Sequence, residues 1–119
     1  MKLLIVDDSQ AMRNIIKWNL NQSEVHIDKV FEASCCKDAL LIIETKKPDL
    51  VITDWNMPEM GGLQLLRELR ETHNSVRFGF VTTQVSTSIH NIAKDACADF
   101  IVSNPSCLNT FKTQISQSL

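Results

Sequence analysis

Residues 51–62 read VITDWNMPEMGG, an apolar run that stops on Asp54 and is followed by Pro58, Gly61 and Gly62. A short run rich in valine and isoleucine is typical of a strand, and the proline and the glycines indicate a loop after it. The continuous apolar character predicts a strand covered on both faces, yet this strand ends on a carboxylate. The role of Asp54 therefore depends on which residues the other strands bring to the same edge.

Short apolar runs of this kind alternate with longer segments of helical period. The predicted strands cover residues 3–6, 25–33, 50–53, 78–82 and 100–102. Between and after them, apolar residues that recur every three to four positions predict helices with one buried face. These faces comprise Met12, Ile15, Ile16 and Leu20; Cys36, Ala39, Leu40 and Ile43; Leu63, Leu66 and Leu69; Ile89, Ile92, Ala93 and Ala96; and Leu108, Phe111 and Ile115. The alternation predicts a (βα)5 chain around a parallel sheet.

The second run, VHIDKVFEA, mixes polar and apolar residues, whereas LLIV at 3–6 and LVIT at 50–53 are continuously apolar. Right-handed crossovers leave few layouts, and the order 2-1-3-4-5 places strand 2 at an edge, as its polarity suggests. We therefore predict an α/β protein with a flavodoxin-like, doubly wound sheet. In such sheets ligands bind beyond the carboxyl ends of the strands, here between strands 1 and 3.

Polar side chains follow or end four of the predicted strands. They are Asp7 and Asp8 after strand 1, Asp54 after strand 3, Thr82 and Thr83 at strand 4, and Ser103 and Asn104 after strand 5. Three carboxylates at one edge repel one another, so the cluster either raises a pKa or holds a cation. Oxygen ligands in an incomplete set, with room for water and phosphate, suit Mg²⁺ better than a transition metal or a closed calcium cage.

A metal ion beside an exposed carboxylate suits phosphoryl transfer, in which Asp54 could act as nucleophile through an acyl phosphate. The hydroxyl of Thr82 could then bond a phosphate oxygen. The alternative for Asp7 or Asp8 is to cap the first helix, because acids stabilise helix N-termini. That alternative suits one of the two, whereas both acids facing Asp54 favour the metal site.

The 119 residues are enough for one domain, which we place at residues 1–119. The 12 basic and 14 acidic residues give a net charge of -2 without a long block of either sign, which disfavours nucleic-acid binding. No apolar run approaches the ~18 residues of a membrane span, and the start MKLLIVDD is unlike a signal peptide. Four cysteines without a CxxC pair indicate free thiols, mostly buried, in a reducing cytoplasm. We expect a cytoplasmic protein that contacts neither nucleic acid nor membrane.

Four stretches, LLIVDDSQAMR at 3–13, DLVITDWNMPEMGG at 49–62, VTT at 81–83 and NP at 104–105, give the chain a likeness to a known family. It resembles response-regulator receiver domains over its whole length, particularly the stand-alone chemotaxis type. The order 2-1-3-4-5 is itself known from this family, so it is not independent of the resemblance.

The resemblance implies that Asp54 is phosphorylated by a partner histidine kinase or phosphotransfer protein, with Mg²⁺ as cofactor. Asp8 and Asp54 would contact the metal directly, Asp7 would do so through water, and Asn56 would add its backbone carbonyl. Thr82 would be the switch hydroxyl. The resemblance further implies a regulatory domain rather than an enzyme, signalling to a protein partner at the face of helix 4, strand 5 and helix 5.

Three positions depart from the family pattern. Asn104 stands where receivers usually carry a lysine, Thr83 replaces a usually small residue, and Ile101 occupies an aromatic switch position. An amide can donate a hydrogen bond to a phosphoryl group but supplies no charge. The alternative function is therefore a pseudo-receiver, a constitutive protein-binding module that no longer depends on phosphate. A metal-dependent phosphatase is a weaker alternative, because no general acid is evident near Asp54.

Overall fold

Five strands alternate with four helices in the part of the chain that the structure describes. The computed structural model describes residues 1–22, 27–55, 61–72, 74, 76–82 and 86–103. The strands are β1 (Lys2–Val6), β2 (Lys29–Ala33), β3 (Leu50–Asp54), β4 (Arg77–Thr82) and β5 (Phe100–Ser103). The helices are α1 (Gln10–Gln22), α2 (Cys36–Lys46), α3 (Gly62–Glu71) and α4 (Thr87–Asp95). The predicted fifth helix, with Leu108, Phe111 and Ile115, lies outside the described residues.

The strands form one parallel sheet in the order β2-β1-β3-β4-β5. The predicted α/β class and strand order are confirmed, and β2 lies at an edge as its polar residues suggested. β1 and β3 are neighbours, with Val6 opposite Thr53. The residues that follow these two strands therefore emerge side by side at the carboxyl edge of the sheet.

Each face of the sheet carries its own apolar layer, because successive residues of a strand point to opposite faces. In β1, Leu4 and Val6 join one buried cluster, whereas Leu3 and Ile5 join the other. The first cluster includes Ala39 and Ile43 of α2, Leu65, Leu66 and Leu69 of α3, and Ala93 of α4. The second includes Ile16 and Leu20 of α1. This two-sided covering explains the continuously apolar sequence of β1 and β3.

Two of the predicted helix faces are narrower than the sequence pattern indicates. Ile15 in α1 is 41% exposed and Ile92 in α4 is 39% exposed, although both were predicted to be buried. Their neighbours Ile16 and Ala93 are each only 1% exposed. Adjacent residues lie ~100° apart around a helix, so a sheet that covers a narrow stripe buries one of each pair and leaves the other at the margin.

Strand β2 begins at Lys29, not at residue 25 as predicted; residues 25 and 26 lie outside the described part. Lys29 pairs with Lys2, the first residue of β1, so the ladder has no partner strand before that point. Asp28 instead donates its backbone N–H to the Met1 carbonyl oxygen at 2.8 Å. Its carboxylate also pairs with the N-terminal ammonium. Asp28 is thus bound to Met1, just before β1, by a hydrogen bond and an ion pair rather than by strand pairing.

The described cysteines Cys35, Cys36 and Cys97 are free thiols, as predicted. Only Cys36 is buried, so the prediction that most are buried is wrong for Cys35 and Cys97. Burial, with smaller effects from Cys35 and Glu68, raises the pKa of Cys36 to about 11. Its thiol is therefore protonated at neutral pH and packs as an apolar group. Among the described residues, no helix combines the length and the apolar character needed to cross a membrane.

Candidate metal centre

Three carboxylates meet at the carboxyl edge of the sheet, between β1 and β3. Asp7 and Asp8 follow β1, and Asp54 is the last residue of β3. Each offers an oxygen, and these oxygens lie within 4.8 Å of one another. Asp7 is buried with 2% of its surface exposed, Asp54 is half-buried and Asp8 is exposed. The three acids that the sequence analysis singled out are therefore brought together at one partly open site.

Backbone and side-chain hydrogen bonds hold the turn between β1 and α1. The Asp7 N–H donates to the Ala33 carbonyl oxygen of β2 at 3.0 Å. The Asp7 carboxylate oxygen Oδ1 accepts the Ser9 N–H at 2.9 Å. At the start of α1, the Ser9 hydroxyl oxygen accepts the Met12 N–H at 3.3 Å. Ser9 thus supplies the side-chain cap of the helix. Asp7 is therefore not the helix cap. The turn instead places its carboxylate beside Asp54.

Near the end of β3, Gly62 allows α3 to begin in close contact with Asp54, the third acid of the site. An added Cβ at Gly62 would lie 2.4 Å from the Asp54 carbonyl oxygen and 2.9 Å from side-chain atoms of Phe80 and Thr53. No larger side chain fits without moving backbone. The sequence pattern indicated a loop at Gly61 and Gly62 but gave no sign of this close approach, which only a residue without a side chain permits.

The acids perturb one another. Burial, followed by the charges of Asp54 and Asp8, raises the pKa of Asp7 to about 6, although the Ser9 N–H bond opposes this rise. Bringing a divalent cation to the cluster would remove the repulsion and favour three ionised carboxylates. In the described residues, this is the only group of three or more His, Cys, Asp or Glu side chains close enough to hold a metal ion. Its all-oxygen, incomplete donor set fits Mg²⁺.

Of the other predicted site residues, only Thr82 and Ile101 lie in the described part of the chain. Thr82, at the end of β4, is 1% exposed and pairs with Ser103 of β5 at the same edge of the sheet. Ile101 is partly buried and packs against the cluster on the α2, α3 and α4 face. Asn56, Thr83 and Asn104 lie outside the described residues, so their roles stay predictions. Sequence reasoning missed Arg13, whose guanidinium reaches the Asp7 carbonyl oxygen at 2.6 Å.

With the fold and the acidic site in view, comparison with known proteins gives the family. The sequence model described as "Response regulator receiver domain" matches residues 3–116. The chain belongs to this family. The receiver domains of two-component response regulators bind Mg²⁺ at an acidic pocket, which corresponds here to Asp7, Asp8 and Asp54.

This receiver is similar to proteins from chemotaxis and from gene regulation. It is 46% identical over 71 residues to the Chemotaxis protein CheY homolog of Campylobacter jejuni, a match that covers 59% of this chain and 53% of that protein. It is 31% identical over 117 residues to the KDP operon transcriptional regulatory protein KdpE of Escherichia coli, covering 98% of this chain and 50% of that protein. The chain thus spans about half the length of the curated relatives it matches.

Solved structures agree with the fold of this receiver. The chemotaxis protein CheY4 of Vibrio cholerae superposes with a TM-score of 0.85 at 24% sequence identity, covering 99% of this chain and 98% of that one. At this identity the likeness shows the fold alone. The family match and the relatives confirm the predicted receiver family and the predicted likeness to chemotaxis proteins.

Proposed function

We propose that this receiver is a phosphorylation-dependent switch in which Asp54 accepts a phosphoryl group with the help of Mg²⁺. The observation that carries the proposal is the meeting of Asp7, Asp8 and Asp54 within 4.8 Å, with Asp54 half-buried at the end of β3. Such a position exposes a carboxylate to a phosphoryl donor while the neighbouring acids remain available for a cation.

In the proposed reaction Asp54 is the nucleophile. One carboxylate oxygen attacks the phosphorus atom of a phosphohistidine, the phosphorus–nitrogen bond breaks, and an acyl phosphate forms on Asp54 while the histidine nitrogen takes up a proton. Bound Mg²⁺, held by Asp7, Asp8 and Asp54, would offset the negative charge of the transferring group. Thr82 lies at the same edge, where its hydroxyl can hydrogen-bond a phosphoryl oxygen. By the family resemblance, Asn56 would add its carbonyl oxygen to the metal.

The proposed role is regulatory rather than enzymatic, since the phosphoryl group is received and lost on the chain itself. The donor would be a histidine kinase or phosphotransfer protein in the cytoplasm. The output would be a protein partner at the face formed by α4, β5 and the predicted fifth helix. The likeness to a chemotaxis protein and to a transcriptional regulator supports a signalling partner of this kind.

Trp55 provides a direct test, because it follows Asp54 in the chain and its ring packs against Phe80 at 4.9 Å between centroids. In a Trp18→Phe background, which removes the exposed second tryptophan, Mg²⁺ is expected to change the Trp55 fluorescence. Acetyl phosphate is then expected to add one phosphoryl group to the intact mass. Asp54→Asn should abolish that gain completely, whereas Asp95→Asn, an exposed acid at the end of α4, should retain it.

The same experiment addresses the pseudo-receiver alternative, which the replacement of the usual lysine by Asn104 suggested. A flat Trp55 signal with Mg²⁺, together with no mass gain from acetyl phosphate or from a phosphorylated histidine kinase, would support that alternative and contradict ours. Steady turnover of a phosphate ester by the unmodified chain would instead indicate an enzyme.

Asn104→Lys is expected to tighten the binding of beryllofluoride, a phosphoryl mimic, by about tenfold, because a charged donor strengthens a hydrogen bond to an anion. The affinity is measured from the Trp55 signal at fixed Mg²⁺. Asn104→Gln is the matched control, since it keeps an amide and adds no charge. No gain with lysine, or an equal gain with glutamine, would show that residue 104 does not face the phosphoryl group.

A further inference from the structure

Arg13 joins the metal centre to the edge strand of the sheet. Its guanidinium Nη1 donates to the Asp7 carbonyl oxygen at 2.6 Å, and its Nε donates to Glu32 Oε1 at 3.1 Å. The Arg13 side chain is only 14% exposed. A guanidinium is planar and donates in fixed directions, so two partners at once define its position. Arg13 therefore links the side chain of Glu32, in β2, to the backbone of Asp7.

Glu32 is held from a second side by Lys17, whose Nζ lies 3.1 Å from Glu32 Oε2. Burial tends to raise the pKa of Glu32, but the hydrogen bonds from Lys17 and Arg13 outweigh it, so the pKa lies below its ordinary value. Glu32 is consequently an anion at neutral pH. Arg13 and Lys17 lie one turn apart on α1. In the hydrogen bonds described above, only Arg13 also donates to Asp7.

A hydrogen bond to the Asp7 carbonyl oxygen is an effective restraint on the turn between β1 and α1. It belongs to the rigid, planar peptide that links Asp7 to Asp8, so fixing its direction limits the orientation of both acid-bearing residues. The Asp7 N–H is already bonded to Ala33, and the Asp7 carboxylate to the Ser9 N–H. Without Arg13 the peptide could still rotate, and repulsion among the three carboxylates would favour opening of the turn.

We propose that Arg13, anchored by Glu32, is a positioning residue that holds the Asp7–Asp8 peptide in the orientation required for metal binding. This inference rests on the Mg²⁺ site proposed above. It assigns Arg13 no contact with the metal or the phosphoryl group. Its effect is carried by hydrogen bonds to the backbone of a ligand residue, and such outer contacts commonly change metal affinity by 10–100-fold.

The test compares Arg13→Met with Lys17→Met. Each variant removes one cation from Glu32 and keeps an unbranched side chain, but only Arg13→Met removes the bond to Asp7. Mg²⁺ alone is titrated against Trp55 fluorescence in the Trp18→Phe background, and the rise in melting temperature with Mg²⁺ gives an independent second measurement. Arg13→Met is expected to weaken Mg²⁺ binding about tenfold, and Lys17→Met by less than about twofold. Urea midpoints report the stability of each variant.

Equal weakening in the two variants would assign the effect to the Glu32 ion pairs and overturn the proposal, as would unchanged affinity in Arg13→Met. Arg13→Lys covers the possibility that Arg13→Met does not fold. It keeps the charge but loses the planar fork, so its Mg²⁺ affinity is expected to fall between the other two variants. Failure of the wild-type chain to bind Mg²⁺ in both measurements would instead overturn the proposed function.

Discussion

Gly79→Val is expected to destabilise this receiver by about 3 kcal/mol, yet to stabilise a Phe100→Ala variant by about 1 kcal/mol. The effect changes sign because a glycine on one strand lies beside a large aromatic ring on the neighbouring strand. Gly79 of β4 lies opposite Phe100 of β5. An added Cβ at Gly79 would lie 2.1, 2.2 and 2.5 Å from the Cζ, Cε2 and Cε1 atoms of the Phe100 ring.

The Phe100 ring cannot simply turn aside to admit a larger residue at position 79. Phe100 is 6% exposed and belongs to the apolar cluster on the α1 face, with Val81 and Ile52. Overpacking at such a site forces side chains off their preferred rotamers. Phe100→Ala alone is expected to cost about 3–5 kcal/mol by opening a cavity, which Gly79→Val then partly fills while also improving strand propensity.

Urea unfolding of the wild type, the two single variants and the double variant gives the coupling free energy directly. Gly61→Ala is a matched control, because among the described residues a Cβ there would meet only the Trp55 carbonyl oxygen, at an ordinary 3.5 Å. Alanine is a poorer N-cap than glycine but lowers the entropy of the unfolded chain, so the net change in stability is expected to stay within about 1 kcal/mol. If Gly79→Val destabilised both backgrounds by similar amounts, the ring would not occupy the space beside Gly79.

Pairs such as Gly79 and Phe100 show what the sequence could not predict. Strands and helices are local features, so runs like LLIV and the recurrence of apolar residues predicted most of them. The order of the strands followed from the polar edge strand, the handedness of crossovers and the family resemblance. Which glycine accommodates which ring depends on contacts between residues far apart in the chain, and no periodicity reports them. The same limit explains why Ile15 and Ile92 are exposed, because periodicity shows which side of a helix is buried but not how wide the buried face is.

The acidic site was predictable for a specific reason. Asp7, Asp8 and Asp54 each follow or end a strand, and the carboxyl ends of parallel strands meet at one edge. Arg13 was not predictable in this way, because it lies within α1 rather than at a strand end, and no periodicity reports its contact with the Asp7 carbonyl oxygen. The close approach of Gly62 to Asp54 likewise needs the placement of α3. The residues missed are those that position the acids rather than the acids themselves.

Asp7→Asn is expected to stabilise the metal-free receiver by about 3 kcal/mol at pH 7. Burial and the neighbouring acids raise the pKa of Asp7 from 3.8 to about 6. At about 1.4 kcal/mol per pKa unit, this rise measures how strongly the folded protein disfavours the ionised form. Asparagine carries no charge and keeps an oxygen that can accept the Ser9 N–H. Urea unfolding in the presence of a chelator measures the difference, with Asp95→Asn as the exposed control.

The difference between wild type and Asp7→Asn should depend on pH in a defined direction. Between pH 3.8 and about 6 the folded wild type binds more protons at Asp7 than the unfolded chain does. Its stability relative to Asp7→Asn therefore falls as pH rises through this window and is constant above it. Below pH 3.8 the two proteins should differ little. A difference that is already present at low pH, or that is absent at pH 7, would contradict the raised pKa.

Mg²⁺ should oppose this preference, because the metal requires the ionised carboxylate that the metal-free fold disfavours. At a concentration about 100 times the dissociation constant, binding stabilises the folded state by about 2.7 kcal/mol, which would nearly cancel the advantage of Asp7→Asn. The variant, lacking one of the three carboxylates, should gain much less. An Mg²⁺-dependent gain that is equal in the two proteins would remove Asp7 from the metal site. A gain confined to the wild type would show that the energetic cost of a buried aspartate at this position is offset only when the metal is bound.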